Sequence, residues 1–218
     1  MALSIRTLQG IFTRAENSVG GDGGVMGVSG SITPAGMATV FDTLVNECGM
    51  SQPGSVFVDA GSGIGRPLAH AIVSCPNLHA AYGIEFDETK VARAHNFVDR
   101  ACSMAVERGL AQAPLINPTL LCEDLMDLHV LPPNTTHLYS FWEGMPDAVR
   151  SAIGHACAST VSLSGIALVQ ASRPVWNIAQ FLCDTYGFPP IQYVRSHDVK
   201  MCGSGARFTA YVFRRVQS

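Results

Sequence analysis

Residues 56–65 read VFVDAGSGIG, and this stretch decides the fold. Its apolar half is typical of a buried strand, and the alternating glycines that follow are typical of a tight turn that a ligand approaches closely. Pro67 stands just after the turn, and proline is tolerated only in the first turn of a helix. The stretch therefore predicts a buried strand, a turn and a helix N-terminus, where N–H groups and the helix dipole favour an anionic group.

Length and composition predict one globular domain with a sizeable core. Of the 218 residues, 47% are hydrophobic and only 14% are charged, which argues against disorder. No apolar run reaches the roughly 18 residues of a membrane span, and no apolar block follows Arg6 as it would in a secretory signal. A net charge of −3 argues against nucleic-acid binding by charge alone, so neither a membrane nor a sequence-specific nucleic acid is an expected partner.

The seven cysteines are scattered, and none forms a Cys-x-x-Cys pair. This spacing does not predict a zinc site, and an odd number of cysteines suits a reducing compartment. We therefore expect no metal, an intracellular location, and cysteines that act as small hydrophobic side chains.

Strand and helix signals alternate outward from the glycine turn. Thr33 and Pro34 begin a helix that Gly49 ends. Strands are predicted over residues 55–60, 80–86, 119–123, 137–142 and 166–171, with helices between most of them. Two strand-like runs, 191–201 and 207–214, follow with only a glycine turn between them. This order predicts an α/β fold with a seven-stranded, mostly parallel sheet, helices on both faces and a C-terminal antiparallel hairpin.

The N-terminal region differs from the rest of the chain. Residues 1–32 are predicted to form an N-terminal segment with a glycine-rich loop, and residues 33–218 the main domain. Residues 20–30 contain six glycines. Such a loop is either a flexible linker or a mobile lid over the glycine turn, and the sequence leaves both open.

Polar residues stand at the predicted carboxyl ends of four strands: Asp59, Glu85, Asp124 and Ser140. Ligands of open α/β sheets bind at this edge, where the strand order reverses. The convergence of these four residues predicts a binding site there.

Two cofactor classes compete for the glycine turn. Nicotinamide dinucleotides use G-x-G-x-x-G, whereas this chain has G-x-G-x-G and places Asp59 where it would repel a pyrophosphate. S-adenosylmethionine carries an ammonium, which Asp59 can accept from, and a carboxylate, which the glycine N–H groups can face. Glu85 can accept both ribose hydroxyls, and Asp124 can accept from the adenine amino group. The pattern favours S-adenosylmethionine; tight NADH binding would favour the dehydrogenase.

Three segments resemble motifs I, II and III of class I methyltransferases: VFVDAGSGIGRPLAHA (56–71), YGIEFDETKVARA (82–94) and CEDLMDL (122–128). The likeness covers most of the chain from about residue 33 on. It implies a Rossmann-like class I methyltransferase fold with S-adenosyl-L-methionine as cofactor.

A narrower resemblance links FVDAGSGIGR (57–66) and GIEFDETK (83–90) to the non-SET histone lysine methyltransferases, the disruptor of telomeric silencing family. Ser29, Gly30 and Ser31 occupy the three positions of that family's Y-G-E loop, and SFWEG (140–144) stands where its motif after strand four begins with asparagine. The resemblance implies a protein lysine N-methyltransferase whose partner is a histone in a nucleosome, acting on chromatin in the nucleus; otherwise we expect a cytoplasmic enzyme.

The predicted site has two parts. The residues predicted to bind the cofactor are Thr33, Asp59, Gly61, Ser62, Gly63, Gly65, Glu85, Phe86, Asp124, Leu125 and Ser140. The residues predicted to act on the acceptor are Ser140, Phe141, Trp142, Glu143 and Tyr211.

Methyl transfer to lysine requires a neutral amine aligned with the sulfonium methyl group. A narrow aromatic channel would lower the pKa of that amine by desolvation, and Phe141 and Trp142 are its predicted walls, with Tyr139 and Tyr211 as further candidates. Glu143 would orient the amine or face solvent.

Other functions stay open at this point. A chain without a basic run and without the Y-G-E residues also fits a methyltransferase for a small molecule or a non-histone protein. A cofactor-binding module without catalysis is a third hypothesis.

Overall fold

The structure, a computed structural model, describes residues 5–19 and 30–216, and its centre is the predicted seven-stranded sheet. The helices are α1 (Ile5–Val19), α2 (Pro34–Cys48), α3 (Arg66–Ser74), α4 (Glu88–Glu107), α5 (Asp147–Ser159) and α6 (Ile178–Tyr186). The strands are β1 (Val56–Ala60), β2 (Ala80–Glu85), β3 (Thr119–Cys122), β4 (His137–Phe141), β5 (Gly165–Gln170), β6 (Ile191–Lys200) and β7 (Arg207–Arg215). The predicted order of elements is confirmed.

The sheet order is β3-β2-β1-β4-β5-β7-β6, and β7 runs antiparallel to both of its neighbours. The strand order reverses between β1 and β4, which pair directly. A crevice at the carboxyl ends of these two strands is the position where open α/β sheets bind ligands. The predicted fold, including the C-terminal hairpin, is confirmed.

Two hydrophobic cores cover the two faces of the sheet. The first joins buried side chains of α1 to α4 to one face, and the second joins those of α5 and α6 to the other. Because successive strand residues point to opposite faces, Phe57 packs into the first core and Val58 into the second. This alternation also decides which side chains at the strand ends can reach a ligand.

Helix α1 is longer than the sequence signal indicates. Only residues 3–12 show a helical pattern in the sequence, whereas α1 extends to Val19. Leu8, Ile11, Phe12 and Ala15 are buried at helical spacing, and α1 packs against α4 and α2. The described part of the N-terminal segment thus belongs to the first core; the division at residue 32 stays a prediction.

The dipeptide Arg173-Pro174 in the sequence predicts the start of the last helix, and this prediction is wrong. Residues 175–177 form a 3₁₀ turn, and α6 begins at Ile178 rather than at Arg173. Residues 20–29, the predicted lid or linker, lie outside the described residues. Within the described ranges, every helix is too short or too polar to cross a bilayer.

A Gly154→Ala variant is expected to unfold more readily, because α5 and α6 touch at this glycine. A Cβ atom at position 154 would overlap the backbone carbonyl of Tyr186, which cannot move without displacing α6. Overpacking of this kind costs about 2 kcal/mol in the free energy of unfolding, measurable by urea denaturation.

Gly10→Ala is the matched control. Gly10 also lies in a helix, but nothing stands within 4 Å of the position of its Cβ. Alanine should therefore stabilise α1 by about 0.5–1 kcal/mol. Equal effects of the two substitutions would contradict the packing described at Gly154.

Candidate functional site

A cavity of about 420 Å³ opens at the carboxyl ends of β1, β2 and β4, where the sequence predicts the site. Eight of the predicted cofactor residues line it: Asp59, Gly61, Ser62, Gly63, Glu85, Phe86, Asp124 and Leu125. Phe141 and Glu143, predicted to act on the acceptor, line it as well. The structure thus brings together side chains and backbone from three strand ends and the loops that follow them.

The glycine turn presents its backbone differently from the expectation. The N–H groups of Gly61 and Ser62 donate to the carbonyl of Ile84 at 2.9 and 3.0 Å. The Gly63 N–H donates to Glu85 Oε2 at 2.9 Å. These three groups are already bonded within the protein, so they do not stand ready for a ligand's carboxylate. The turn instead offers a surface free of side chains at Gly61 and Gly63.

Gly65 has a structural position rather than a place on the cavity. It caps the N-terminus of α3 in the left-handed region, with φ at 84°. A Cβ there would stand 2.8 Å from a methyl group of Val98 on α4. The prediction that Gly65 contacts the cofactor is therefore corrected: it allows α3 and α4 to pack closely.

Thr33 and Ser140 also lie away from this cavity. Thr33 is the N-cap of α2, where its hydroxyl accepts from Gly36 N–H, and it borders a neighbouring cavity. Ser140 is fully buried, and its hydroxyl donates to the carbonyl of Ala60 at 2.7 Å. Their side chains thus complete the protein's own hydrogen bonds, which corrects their predicted roles.

Asp59 is the most unusual group in the cavity. It is 1% exposed, and neither carboxylate oxygen has a hydrogen-bond partner among the described residues. Burial, and then the nearby Glu85 carboxylate, raise the pKa of Asp59 well above its ordinary value. An unpaired buried carboxylate is costly unless a cation or another donor joins it. The cavity is therefore prepared for a positively charged group beside Asp59.

Three further polar groups around the same cavity have no partner in residues 5–19 and 30–216: the hydroxyls of Ser31, Ser62 and Tyr139. All three residues are buried. Tyr139 is the direct neighbour of Asp59 across the β1–β4 pair. Buried polar groups are normally hydrogen-bonded, so four such groups around one cavity indicate a polar ligand.

Glu85 connects the turn to the cavity. Its Oε2 accepts from Gly63 and its Oε1 accepts from the backbone of Asp87 at 3.1 Å. Each carboxylate oxygen has two acceptor sites, which leaves capacity for a pair of hydroxyl groups. Glu85 therefore holds the turn in shape and can still bind a ligand.

Strand alternation separates Phe141 from Trp142. Phe141 points to the first core and the cavity, edge-on to Phe208, whereas Trp142 points to the second core. Trp142 is 0% exposed and packs against Tyr186 and Phe188. Trp142 does not line the cavity, so the prediction that it forms a wall of the channel is wrong.

The prediction that Tyr211 acts on the acceptor is also wrong. It is fully buried in the second core, and its hydroxyl donates to the carbonyl of Arg173 at 2.8 Å. It anchors the backbone after β5 and does not line the cavity.

Two cations accompany the four carboxylates of the cavity. Arg66 follows the glycine turn, and its guanidinium pairs with Glu16 of α1 at 2.5 Å. Lys90, in the first turn of α4, is buried and also lines the cavity. Arg66 thus pairs with an acid of α1 and also lines the cavity, where its guanidinium can donate to a ligand's carboxylate.

Ser31 is a cavity residue that the sequence did not identify. Its carbonyl accepts from Cys202 N–H at 2.7 Å, and Thr33 N–H donates to Lys200 O at 2.8 Å. Residues 31–33 are thereby held against the end of β6, which aims Ser31 at the cavity. Only the contact between segments about 170 residues apart reveals this, although Ser31 stands in the loop that carries the family resemblance.

The fold of this chain is similar to that of several proteins of known structure. No protein-family model matches the chain, and no curated protein matches its sequence. TrmN from Thermus thermophilus has a TM-score of 0.60 and 15% identity over 95% of this chain, which spans 53%, about half, of the TrmN chain. A candidate RNA methyltransferase from Pyrococcus horikoshii has a TM-score of 0.59 and 10% identity, covering 94% and 98% of the two chains.

The precorrin-6y C5,15-methyltransferase from Geobacter metallireducens has a TM-score of 0.51 and 14% identity, covering 83% of this chain and 87% of its own. Together the three structures support the Rossmann-like class I methyltransferase fold. They lend no support to the narrower resemblance to the non-SET histone enzymes, which stays a prediction.

The unliganded protein is expected to lose stability as the pH rises through the pKa of Asp59. The folded state holds this proton more tightly than the unfolded chain, whose pKa is near 3.8. The stabilising contribution is therefore complete below that value and is lost as the pH rises through the folded pKa.

Urea denaturation from about pH 5 to about pH 8 measures this effect against an Asp59→Asn variant, which has no titrating carboxyl. The free energy of unfolding of the variant should exceed that of the wild type, and this difference should increase as the pH rises. An advantage that does not change with pH would contradict the raised pKa.

Proposed function

We propose that the protein is an S-adenosyl-L-methionine-dependent methyltransferase. The observation that carries the proposal is the group of four buried polar residues, Asp59 among them, whose side chains have no partner in the described part of the chain. They lie beside the Glu85 carboxylate, which can bind a diol. A molecule with an amino-acid end and a nucleoside end can bond to the buried polar groups with the first and to the Glu85 carboxylate with the ribose hydroxyls of the second. The fold of the similar solved structures supports the same choice.

Each part of the cofactor has a matching group in the cavity. Asp59 would accept from the ammonium, and Arg66 would bind the carboxylate through its guanidinium. Glu85 would accept from the ribose hydroxyls. Asp124 and Leu125 would receive the adenine, with Phe86, which is 52% exposed, free to pack on the ring.

A dinucleotide fits the same cavity poorly. Four carboxylates line it, those of Asp59, Glu85, Asp124 and Glu143, against two cations. A pyrophosphate beside Asp59 would face like charge in a buried setting, which costs more than at the surface. A sulfonium with an ammonium is favoured by the same charges.

The reaction needs little chemistry from the protein. When bound, S-adenosylmethionine would supply its sulfonium methyl group to a neutral acceptor and would keep the electron pair of the broken carbon–sulfur bond as a neutral thioether. The acceptor's proton leaves to water. Alignment of acceptor and methyl group, together with exclusion of water, supplies most of the rate.

For the acceptor we propose an amine, with the lysine side chain of a protein as the predicted form. Glu143 lines the cavity after β4 and can accept from an acceptor N–H, and Phe141 offers an apolar wall. A histone in a nucleosome is the acceptor that the sequence resemblance implies. Two of the other aromatic walls predicted for the channel, Trp142 and Tyr211, point away from the cavity, so a small amine remains the alternative.

Calorimetry and labelling test the proposal in two stages. Titration with S-adenosylmethionine should give one site, and tight NADH binding without S-adenosylmethionine binding would overturn the cofactor. Transfer of labelled methyl groups is then measured on core histones, nucleosomes and the small-molecule fraction of a cell extract. Label confined to small molecules would overturn the protein acceptor, and binding without any turnover would overturn catalysis.

A further inference from the structure

Tyr139 is buried at the carboxyl end of β4, and no residue in the described ranges 5–19 and 30–216 satisfies its hydroxyl group. The residue is only 1% exposed, and in the part of the chain that the structure describes its hydroxyl has no hydrogen-bond partner. It lines the cavity and lies directly across from Asp59 in the parallel β1–β4 pair. Residues paired in this way point to the same face of a sheet, so both groups face the cavity together.

Other buried tyrosines use their hydroxyls within the protein. The Tyr211 hydroxyl accepts from the N–H and donates to the carbonyl of Arg173, and the Tyr186 hydroxyl donates to Asp147 at 3.0 Å. At position 139 a phenylalanine would fill the same space without burying an unpaired polar group. The hydroxyl of Tyr139 is therefore a cost to the unliganded protein that a ligand can remove.

The surroundings define the chemistry of that ligand. Burial, and then the charges of Asp59 and the Cys202 thiol, raise the pKa of Tyr139, so the hydroxyl stays protonated and can both donate and accept. The carboxylate of Asp59 beside it only accepts. Arg66, on the same cavity wall, only donates. An acceptor, a donor and a group that does both together match an ammonium next to a carboxylate.

We propose that the Tyr139 hydroxyl binds the amino-acid end of the cofactor, together with Asp59, and makes the site selective for the zwitterion over the nucleoside alone. The ammonium donates to Asp59 and to the Tyr139 oxygen, while the tyrosine hydroxyl donates to the cofactor's carboxylate. This inference rests on the proposed function, since it assigns a residue to the same cofactor.

Two ligands that differ only at the amino-acid end test the assignment. S-adenosylhomocysteine carries the zwitterion, and 5′-methylthioadenosine lacks it but keeps the nucleoside and the thioether. Calorimetry on a Tyr139→Phe variant should show about tenfold weaker binding of S-adenosylhomocysteine, the loss expected for one hydrogen bond to a charged group. Binding of 5′-methylthioadenosine should not change.

The unliganded Tyr139→Phe variant should unfold at the same temperature as the wild type or higher, because it loses only an unsatisfied hydroxyl. Tyr211→Phe is the matched control: it should lower the melting temperature and leave both affinities unchanged.

Three outcomes would overturn the assignment. The first is a Tyr139→Phe variant that binds both ligands as tightly as the wild type does. The second is a variant whose affinity falls equally for both ligands. The third is a wild type that binds the two ligands with equal affinity. A wild type that binds neither ligand would instead overturn the proposed function, so the two failures are distinguishable.

Discussion

An Asp59→Asn variant is expected to bind S-adenosylmethionine on the order of 1,000-fold more weakly, because the loss of one partner in a buried charge pair costs about 2–5 kcal/mol. The asparagine keeps the shape of the side chain but removes the charge and turns an amide N–H₂ group toward the cofactor's ammonium. Calorimetry with S-adenosylmethionine measures the loss directly.

The same substitution should stabilise the unliganded protein. Asp59 is 1% exposed and unpaired, so the wild type carries a desolvated carboxyl that asparagine replaces by a neutral group. For a chain of this size each kcal/mol raises the melting temperature by about 2–4 °C. Lower affinity with higher stability is the signature of a group kept for its ligand.

Asp42→Asn provides the control, since Asp42 is an exposed acid on α2 and its substitution removes the same charge. It should change neither the affinity nor the melting temperature. If Asp59→Asn binds the cofactor as tightly as the wild type, the assignment of Asp59 to the ammonium is wrong.

A Glu85→Gln variant is expected to bind both S-adenosylmethionine and 5′-methylthioadenosine about 100-fold more weakly. Glu85 serves the protein and the ligand at once: its two oxygens accept from Gly63 and Asp87 and would also receive the ribose hydroxyls. Glutamine has one acceptor oxygen in place of two and carries no charge. One backbone N–H therefore loses its partner, and the glycine turn loosens while the ribose is held less well.

The pattern across ligands separates Glu85 from Tyr139. Glu85→Gln should weaken the binding of both ligands, because both contain the ribose. Tyr139→Phe should weaken the binding of only the ligand that has an amino-acid end. Glu88→Gln is the control, since Glu88 is an exposed acid three residues further on. If Glu85→Gln spares 5′-methylthioadenosine, the nucleoside does not bind at Glu85.

The resemblance to the non-SET histone enzymes led to a channel of aromatic side chains, and only part of it exists. Phe141 and Trp142 are neighbours in the sequence and were assigned the same role. Strand alternation sends them to opposite faces of the sheet, where Trp142 completes the second core. The alternation is a property of any strand; which of the two faces borders the cavity depends on the helices that cover the sheet.

The sequence by itself determined the order of strands and helices, the glycine turn and the acids at the strand ends. These features depend on short-range effects: apolar runs, helix caps such as Thr33, and the freedom of glycine to adopt a left-handed backbone. The sequence predicts Asp59 and Glu85 as site residues because each lies at the carboxyl end of a buried strand.

The tertiary structure alone decided which groups are still available to a ligand. The N–H groups of the glycine turn are occupied by Ile84 and Glu85 from the next strand. Ser31 reaches the cavity because the hairpin holds it. Among the described residues, the Tyr139 hydroxyl has no partner, whereas the Tyr211 hydroxyl has one. Hydrogen-bond satisfaction depends on contacts between distant segments, whereas strand and helix formation is local, so the sequence could place the glycine turn but not show which of its groups are free.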